Sequence, residues 1–480
     1  MNGASNDRGS TAPRVTIVGG GLAGMAAAAA LIEHGCEVEL FEARRYLGGR
    51  ASSFTDPSTG EVVDNCQHVS LGCCTNLSDF CRRTNIERHF VRERTLHFLS
   101  PQGRRYDFSP GKLLPAPLHL GPALASLGFL SWGDRYRIAL SLLRLARARF
   151  SSDDRRDMWS WLQAERQSRY AIASFWEPIL LGALAEQLDR VSCAAAQKVF
   201  VDGLMRHHAA CDVLVPQLPL GQLYDAALRP WFEQHGISIH SGQAIERLVI
   251  GTGPNDQPVV THMQFSGGEC RAVEQVVVAV PWRRLPALLA DAPRVDGWTV
   301  SEDVANLEPS PITGVHLWFD RPICELPHAI LLGTLSQWLF KPPWSTDRAG
   351  HYYQVVISGS RNLEQRPRDE VVPEIVGELQ WLSSAASEAK LLHWRMVTEP
   401  QAVFSPHPGS DRWRPTATTP YANLALAGDW IATGWPATME SAVRSGYLAA
   451  EAVLRNLNRP QRVLIDDLPL AKLTHWLTGK

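Results

Sequence analysis

Several hallmarks of other protein classes are missing from this chain of 480 residues. Its 47 basic and 49 acidic side chains nearly balance, so there is no excess of positive charge for binding nucleic acid. It contains no low-complexity block, which excludes a fibrous or disordered protein. The nine cysteines form no C-x-x-C pair, and this pattern favours a reducing, cytoplasmic compartment over a disulfide framework or a zinc site.

The sequence also predicts neither a targeting signal nor a membrane-spanning segment. Residues 1–13 are polar, lack the apolar core of a signal peptide and are predicted to form a flexible arm. Residues 113–132 are uncharged, but prolines and glycines interrupt them repeatedly. A span needs about 20 apolar residues in a nearly unbroken helix, so we expect broken helical segments here.

A strand–turn–helix–strand pattern opens the informative part of the sequence. Residues 14–18 form a β-branched run, long enough for a buried parallel strand, and a glycine-rich turn over 19–24 follows at once. An alanine-rich helix over 25–33 and a second strand over 36–41 come next, followed by Glu42. Strand, G-x-G-x-x-G, helix, strand and acid in this order predict a dinucleotide-binding unit.

The residues of this turn have separate physical roles. Gly19 permits the tight turn, Gly21 admits the pyrophosphate close to the backbone, and Gly24 lets the helix and the strand pack together. Leu22 and Ala23 belong to the turn that leads into the predicted helix, whose N-terminal amide groups stabilise phosphate charge. Glu42 is placed to accept hydrogen bonds from both ribose hydroxyls.

Residues 42–50 indicate which dinucleotide binds. They place a second glycine pair and a fixed cation, in the motif L-G-G-R, beside the predicted pyrophosphate. With this motif the chain resembles the flavin amine oxidase and phytoene desaturase superfamily, whose members carry G-G-R after the first βαβ unit. The resemblance implies non-covalently bound FAD rather than NAD. It also implies that Ala43 and Gly49 line the site, that Arg44 lies near the ribose, and that Arg50 contacts the phosphates.

A second motif of the same superfamily lies near the other end of the chain. Apolar residues 421–427 lead to Gly428 and Asp429, and a helix follows with the sequence M-E-S-A-V. The resemblance implies that Asp429 meets the ribityl or pyrophosphate region of FAD. It also implies that Met439 and Ala442 lie on a helix whose N-terminus points at the isoalloxazine ring, where it favours the charge of a reduced flavin.

The middle of the chain fits an interleaved arrangement. Residues 236–240 predict a strand that 243–248 continue, 275–281 predict another buried strand, and the resemblance places Ile245 against the adenine. The predicted fold is α/β, with a Rossmann-like FAD-binding domain interleaved with an α+β substrate domain. The predicted boundaries are 14–95, 205–295 and 395–458 for the FAD-binding domain, 96–204 and 296–394 for the substrate domain, and 459–480 for a C-terminal helix or tail.

The segment D-N-C-Q-H at residues 64–68 makes the resemblance more specific. Together with the motifs around Asp429 and Met439, this segment resembles the corresponding segments of the bacterial hydroxysqualene dehydroxylases of hopanoid biosynthesis. Members of that family usually have glycine where Cys66 stands. The resemblance implies reductive removal of an allylic hydroxyl to give squalene, beside a flavin that Cys66, Gln67 and His68 contact. His68 is the candidate acid or water-positioning group and Gln67 its orienting partner. The alternative, that both only bond the flavin or nearby backbone, stays open.

The implied substrate is an apolar C30 isoprenoid alcohol, which requires a long apolar pocket. Candidate linings are residues 113–150, 175–181, 317–319 and 337–340. Because such a substrate partitions into lipid, the uncharged stretch 113–132 with the arginines after it predicts peripheral contact with the inner face of the cytoplasmic membrane. A last helix over 468–477 is a second candidate for this contact. The resemblance also leaves room for contact with upstream enzymes of the squalene pathway.

Three other functions compete with this interpretation. A carotenoid or phytoene desaturase would use the same fold and tunnel, with oxidised FAD taking hydride from a polyene. An amine oxidase fits less well, because Thr438 stands where that family has an aromatic residue. A non-catalytic, FAD-dependent carrier of isoprenoids is mildly favoured by Cys66 at a position usually held by glycine.

Overall fold

The computed structural model of the protein describes residues 12–479, apart from 152–153, 293–294, 296 and 347. The strands of the described residues are Arg14–Val18 (β1), Glu37–Glu42 (β2), Ser53–Thr55 (β3), Val62–Asp64 (β4), Ser70–Leu71 (β5), Phe90–Glu93 (β6), Leu96–Leu99 (β7), Arg105–Phe108 (β8), Val213–Pro216 (β9), Ser238–Ser241 (β10), Ile245–Thr252 (β11), Pro258–Phe265 (β12), Cys270–Ala272 (β13), Gln275–Val278 (β14), Pro309–Phe319 (β15), His328–Leu331 (β16), Trp338–Phe340 (β17), His351–Ser358 (β18), Leu391–Phe404 (β19) and Leu424–Leu426 (β20).

The α-helices of the same residues are Leu22–Glu33 (α1), Thr75–Arg83 (α2), Leu120–Ser126 (α3), Trp132–Arg147 (α4), Met158–Ala164 (α5), Arg169–Ala171 (α6), Glu177–Leu184 (α7), Cys193–Gln197 (α8), Arg229–Gln234 (α9), Leu285–Leu288 (α10), Val300–Ala305 (α11), Arg368–Leu382 (α12), Ser384–Glu388 (α13), Met439–Asn456 (α14) and Lys472–Thr478 (α15). Three π-helical segments, Ile172–Trp176, Lys198–Met205 and Gln222–Ala226, extend or join these helices. The predicted arm over 1–13 lies outside the described residues, except for 12 and 13.

A parallel sheet of five strands carries the dinucleotide-binding unit, in the order β10–β2–β1–β14–β20. Its central strands are buried and apolar, as expected for a parallel sheet covered on both faces. Helix α1 is buried along nearly its whole length and packs against α14. The sheet thus joins strands from three separate stretches of the chain, whereas the full division into two domains stays a prediction.

The prediction that residues 243–248 continue the strand of 236–240 is wrong. Strand β10 ends at Ser241, and Gly242 turns the chain with a φ of +77°. The backbone amides of Gly242 and Gln243 then bond to the carbonyl oxygens of Arg44 and Glu42. As a result, β11 starts in a different, antiparallel sheet with β12 and β13.

A larger mixed sheet supports the other half of the molecule, in the order β19–β15–β18–β17–β16–β7–β8. Helix α12 packs on one face, where Val315, Leu317 and Phe319 of β15 join its apolar side chains in one core. The helices between residues 158 and 205 pack with β7, β8 and β16 in another core. Residues of these helices, of this sheet and of the turn after β1 line one common cavity.

The stretch 113–132 forms broken helical segments, as predicted. Residues before α3 form turns and loops, and α3 itself holds only seven residues before the chain turns into α4. Leu113 and Trp132 project from this region with 97% and 75% of their surface exposed. No helix in the described part of the chain is long and apolar enough to cross a bilayer.

Candidate functional site

The turn between β1 and α1 forms a cradle for an anionic group. Gly21 precedes the helix in an extended conformation, and no side chain caps the first helical turn. The amide groups of this turn are therefore directed at whatever ligand lies in front of it. Gly49 faces Gly21 so closely that a Cβ on Gly49 would lie 3.2 Å from the Cα of Gly21. Two facing glycines leave room for a bulky group to approach the backbone.

Gly24 lies behind this cradle rather than on its surface. A Cβ at this position would lie 1.9 Å from the carbonyl oxygen of Gly19. Only glycine therefore permits the observed approach of α1 to the turn, which is the packing role predicted from the sequence.

Glu42 is fixed at the end of β2 by the backbone. Its two carboxylate oxygens accept hydrogen bonds from the amides of Gly20, at 2.7 Å, and Arg44, at 2.8 Å. A carboxylate has about four lone-pair sites, so further donors such as ribose hydroxyls can still bind. The Arg44 guanidinium donates to the carbonyl oxygen of Gly49 at 3.1 Å and lies beside the same opening.

An ion pair joins the N-terminal and C-terminal motifs. Arg50 Nη2 lies 2.5 Å from Asp429 Oδ1, and Arg50 Nη1 donates to the carbonyl oxygen of Ala402 at 2.6 Å. Because Asp429 is almost completely buried, the pair fixes the relative positions of residues far apart in the chain. It also places a guanidinium at the wall of the cavity that the two motifs enclose.

A single cavity of about 640 Å³ brings these residues together, a size typical of ligand sites. All predicted site residues except Gly24 line it, namely Gly19, Gly21, Leu22, Ala23, Glu42, Ala43, Arg44, Gly49, Arg50, Cys66, Gln67, His68, Ile245, Gly428, Asp429, Met439 and Ala442. The structure therefore collects residues from both ends and the middle of the sequence around one space.

Helix α14 begins at the cavity wall. Thr438 is its N-cap, and its side chain accepts a hydrogen bond from the amide of Ser441. Ser441 Oγ in turn donates to the carbonyl oxygen of Asp429 at 3.1 Å. The N-terminal end of the helix, with its partial positive charge, is thus held against the segment that contributes Asp429.

Arg414 holds the loop between β20 and α14, a role that the sequence analysis missed. Its buried guanidinium donates to the carbonyl oxygens of Ile431, at 2.6 Å, and Trp435, at 2.7 Å, with longer contacts to those of Asp429 and Trp430. One side chain thereby supplies hydrogen bonds to several carbonyl groups of a buried, irregular segment.

Cys66, Gln67 and His68 form the opposite wall. The Nδ1 atom of His68 donates to the carbonyl oxygen of Cys66 at 2.6 Å, since a carbonyl can only accept. Burial lowers the pKa of His68, and the nearby charge of Arg50 lowers it further. The imidazole is therefore neutral near pH 7, with an acceptor at Nε2. Gln67 is buried, and its Oε1 has no partner among the described residues.

Cys66 is accommodated without backbone strain, because it is not among the residues with positive φ. Burial raises the pKa of its thiol to about 12, and the neighbouring Asp64 adds to the effect. The thiol is thus protonated at physiological pH and is a poor nucleophile.

Asp64 anchors this wall from behind. Its Oδ1 accepts hydrogen bonds from Ser53 Oγ at 2.6 Å and from the amide of Leu220 at 2.8 Å. Ser53 Oγ also accepts from the amide of Gly221 at 2.7 Å. Burial raises the pKa of Asp64 to about 7, so the carboxyl group is close to half protonated at neutral pH.

Beyond this wall the cavity continues into an apolar chamber. Its lining residues include Leu96, Phe98, Phe108, Ile179, Leu204, Ile330, Trp338, Phe340 and Val356. Two predicted linings, 175–181 and 337–340, contribute Ile179, Trp338 and Phe340. The other two predictions are wrong, because neither 113–150 nor 317–319 reaches the cavity. Alternate residues of β15 instead pack against α12.

Comparisons with known proteins extend over nearly the whole chain. A family model described as flavin containing amine oxidoreductase matches residues 22–454. The hydroxysqualene dehydroxylase of Rhodopseudomonas palustris is 29% identical over 448 residues, covering 92% of this chain and 98% of the relative. The zeta-carotene desaturase of Synechocystis sp. is 24% identical over 488 residues, covering 94% and 99%. A solved oxidoreductase from Methanosarcina mazei shares the fold, with a TM-score of 0.69, 17% identity and coverage of 92% of this chain and 100% of that one.

Proposed function

The chain belongs to the family of flavin-containing amine oxidoreductases, and on this premise we propose that it removes the allylic hydroxyl of hydroxysqualene by reduction, giving squalene, with non-covalently bound FAD. Its family and fold confirm the predicted architecture and the predicted class of enzyme, a flavin-dependent oxidoreductase. The observation that carries the proposed reaction is one cavity that runs from a polar dinucleotide cradle into an apolar chamber. The similarity to hydroxysqualene dehydroxylase supports the choice of substrate.

FAD fits the polar end of the cavity by its chemistry. The first turn of α1 and the facing glycines suit a pyrophosphate, Glu42 suits ribose hydroxyls, and the side chain of Ile245 offers an apolar surface for adenine. When bound and reduced, the flavin supplies the hydride that replaces the hydroxyl. The protein must then exclude solvent from the substrate and assist the allylic hydroxyl to leave as water.

We propose His68 as the residue that contacts the departing hydroxyl, with Gln67 orienting it. With Nδ1 bound to Cys66, a neutral His68 presents Nε2 to the cavity as an acceptor, which holds a hydroxyl or a water. If Nε2 takes up a proton, the lowered pKa makes that proton a strong acid toward the hydroxyl. The buried carboxamide of Gln67, whose Oε1 has no hydrogen-bond partner in the described part of the chain, offers a second polar contact at the same cavity wall.

Replacing His68 tests this role. We expect His68→Ala to bind FAD as the wild type does but to lose about 100- to 10,000-fold in turnover, the usual range for a general acid or base. His68→Gln keeps an acceptor without an acidic proton, so partial activity in this variant would assign positioning rather than proton transfer. Near-normal turnover of His68→Ala would refute both roles.

The reaction itself is tested with anaerobic, photoreduced protein. Addition of hydroxysqualene is expected to reoxidise the flavin and to yield one squalene per flavin, measured by absorbance and mass spectrometry. The similarity to zeta-carotene desaturase supports a second candidate, dehydrogenation of a polyene by oxidised enzyme. Bleaching of the oxidised flavin by phytoene or zeta-carotene, with no reaction of the reduced form, would favour the desaturase. Failure with every isoprenoid in both redox states would favour a carrier.

We also propose that the protein works at a membrane surface, where it takes up its substrate near the enzymes that supply it. The region from residue 112 to 137 exposes apolar side chains beside cations, namely Leu113, Leu114, Leu118, Trp132 and Tyr136 with Lys112 and Arg137. Such a combination binds anionic lipid. Trp132→Ser combined with Leu113→Ser is expected to reduce sedimentation with phosphatidylglycerol vesicles. Trp381→Ser, at an equally exposed tryptophan of α12, is the control. Equal sedimentation of all three proteins would refute this surface.

A further inference from the structure

The C-terminal segment, residues 459–479, runs back across the molecule after α14 ends. The backbone of Ile465 pairs with the carboxamide of Asn76 through two hydrogen bonds, of 2.9 and 3.0 Å. Further along, the Arg206 guanidinium donates to the carbonyl oxygen of Leu468, and the amide of Ala471 bonds to the backbone of Arg206. The observed helix, α15 at Lys472–Thr478, is shorter than the helix predicted over 468–477. The segment thus touches residues that flank the cavity on two sides.

Asp467 is the point where this segment meets the cavity wall. Its Oδ1 accepts hydrogen bonds from Arg444 Nη1 at 2.7 Å and from Trp435 Nε1 at 3.3 Å. Its Oδ2 accepts from Lys198 Nζ at 3.2 Å. Trp435 and Lys198 both line the cavity, whereas Arg444 lies on α14, one turn beyond its cavity-lining start. One carboxylate therefore joins α14, the loop before it and the π-helical segment 198–205.

Two cations lie close to the indole ring of Trp435. Lys198 Nζ lies 4.5 Å from the ring centroid, and Arg444 Cζ lies 5.7 Å from it. Burial by itself would raise the pKa of Asp467, but the charges of Lys198 and Arg444 hold it below its usual value. The carboxylate therefore stays ionised and forms ion pairs with both cations. Lys198 also pairs with Asp202, and Arg444 also pairs with Glu440.

We propose that Asp467 is a positioning residue for the cofactor cavity, and that docking of the C-terminal segment and binding of FAD stabilise each other. The inference rests on the proposed cofactor. Asp467 fixes Trp435 and the start of α14, and these form the wall that the flavin would contact. If the docked segment raises the affinity for FAD by some factor, FAD must favour the docked segment by the same factor.

Asp467→Asn tests the first half of the proposal with little change in shape. An amide oxygen still accepts from Arg444, but the amide nitrogen faces the Lys198 ammonium as a second donor. We expect the Kd for FAD, titrated into apoprotein by flavin fluorescence, to rise about tenfold, and Asp467→Glu to recover part of the loss. Asp466→Asn is the matched control, because the neighbouring Asp466 is exposed and pairs only with Arg462 among the described residues.

Limited proteolysis tests the reciprocal half. Arg462 and Lys472 are exposed trypsin sites within the segment. FAD is expected to slow cleavage there severalfold in the wild type and in Asp466→Asn, but not in Asp467→Asn. Wild-type protein that binds FAD while both variants match it in affinity and protection would overturn this inference alone. Wild-type protein that binds no FAD would overturn the proposed cofactor and this inference with it.

Discussion

Replacing Gly446 by alanine tests the contact that brings the two cofactor motifs together. Gly446 lies in the buried face of α14, where that helix crosses α1. A Cβ at this position would lie 2.3 Å from the carbonyl oxygen of Ala23 and 2.9 Å from both the amide nitrogen of Ala27 and the Cβ of Ala26. All three of these atoms belong to the backbone or to an alanine methyl group, so no side-chain rotation relieves the overlap.

The expected loss of stability follows from two opposing effects. An extra methyl group forced into a packed contact costs about 1–3 kcal/mol, and a clash with backbone belongs at the upper end of that range. Alanine recovers about 1 kcal/mol over glycine through its higher helix propensity. We therefore expect Gly446→Ala to lower the free energy of unfolding by about 2 kcal/mol. Because Ala23 lines the cavity, the displaced helix should weaken FAD binding as well.

Urea denaturation of the apoprotein measures the effect, and Gly377→Ala is its matched control. Gly377 also lies inside a helix, α12, but no described atom beyond its chain neighbours and the adjacent helix backbone lies within 4 Å of the Cβ that alanine would add. The control is expected to gain about 0.5–1 kcal/mol, since only the backbone preference changes. A Gly446→Ala protein at least as stable as the wild type would show that the helix pair tolerates separation, and the reasoning would fail.

Three further outcomes are expected. Asp64→Asn should gain about 3 kcal/mol of stability relative to the wild type as the pH rises from 5 to 8. A carboxyl whose pKa is raised to about 7 by burial stabilises the fold fully below its unfolded pKa, and this contribution is lost progressively as the pH rises to 7. Parallel plots of stability against pH for the two proteins would contradict it. The Arg414→Lys protein should lose bound flavin on gel filtration, because one ammonium group cannot donate to all the carbonyl oxygens that accept from the guanidinium. Full retention of flavin would contradict this. Iodoacetamide at pH 8 should modify the exposed Cys270 well before Cys66, whose pKa is raised to about 12. Peptide mass spectrometry measures the labelling, and equal labelling of the two thiols would contradict the raised pKa of Cys66.

The parts of the site that could be predicted from sequence are those whose residues act within a short local pattern. Gly21 and Glu42 belong to one strand–turn–helix–strand unit, so their spacing alone indicates a shared ligand. Arg414 and Asp467 gave no such signal, because each is a single polar residue whose partners are carbonyl groups or distant side chains. Only the folded backbone shows that these two side chains meet the wall of the cavity.

Errors in the fold prediction have a similar origin. Residues 243–248 are compatible with a strand whether the preceding strand continues or a new one begins, and the turn at Gly242 decides between the two. The apolar run 317–319 reads as a candidate pocket lining, yet Leu317 faces α12 in a separate core. Hydrophobic pattern indicates that a side chain is buried, but the order of strands in the sheet determines which side of the sheet receives it.

The three-part origin of the parallel sheet has a consequence for biosynthesis. Strand β20 and helix α14 complete the cavity, and both lie near the end of the chain. At about 5–20 residues per second, a ribosome needs roughly 20–80 s to translate the residues between the first glycine turn and these elements. During that time α1 lacks its partner helix, and β14, once it has been translated, has a free edge until β20 follows. The nascent chain therefore exposes apolar surface that chaperones can bind. A complete cavity for the cofactor therefore forms only after β20 and α14 have been translated, about 400 residues after the first glycine turn.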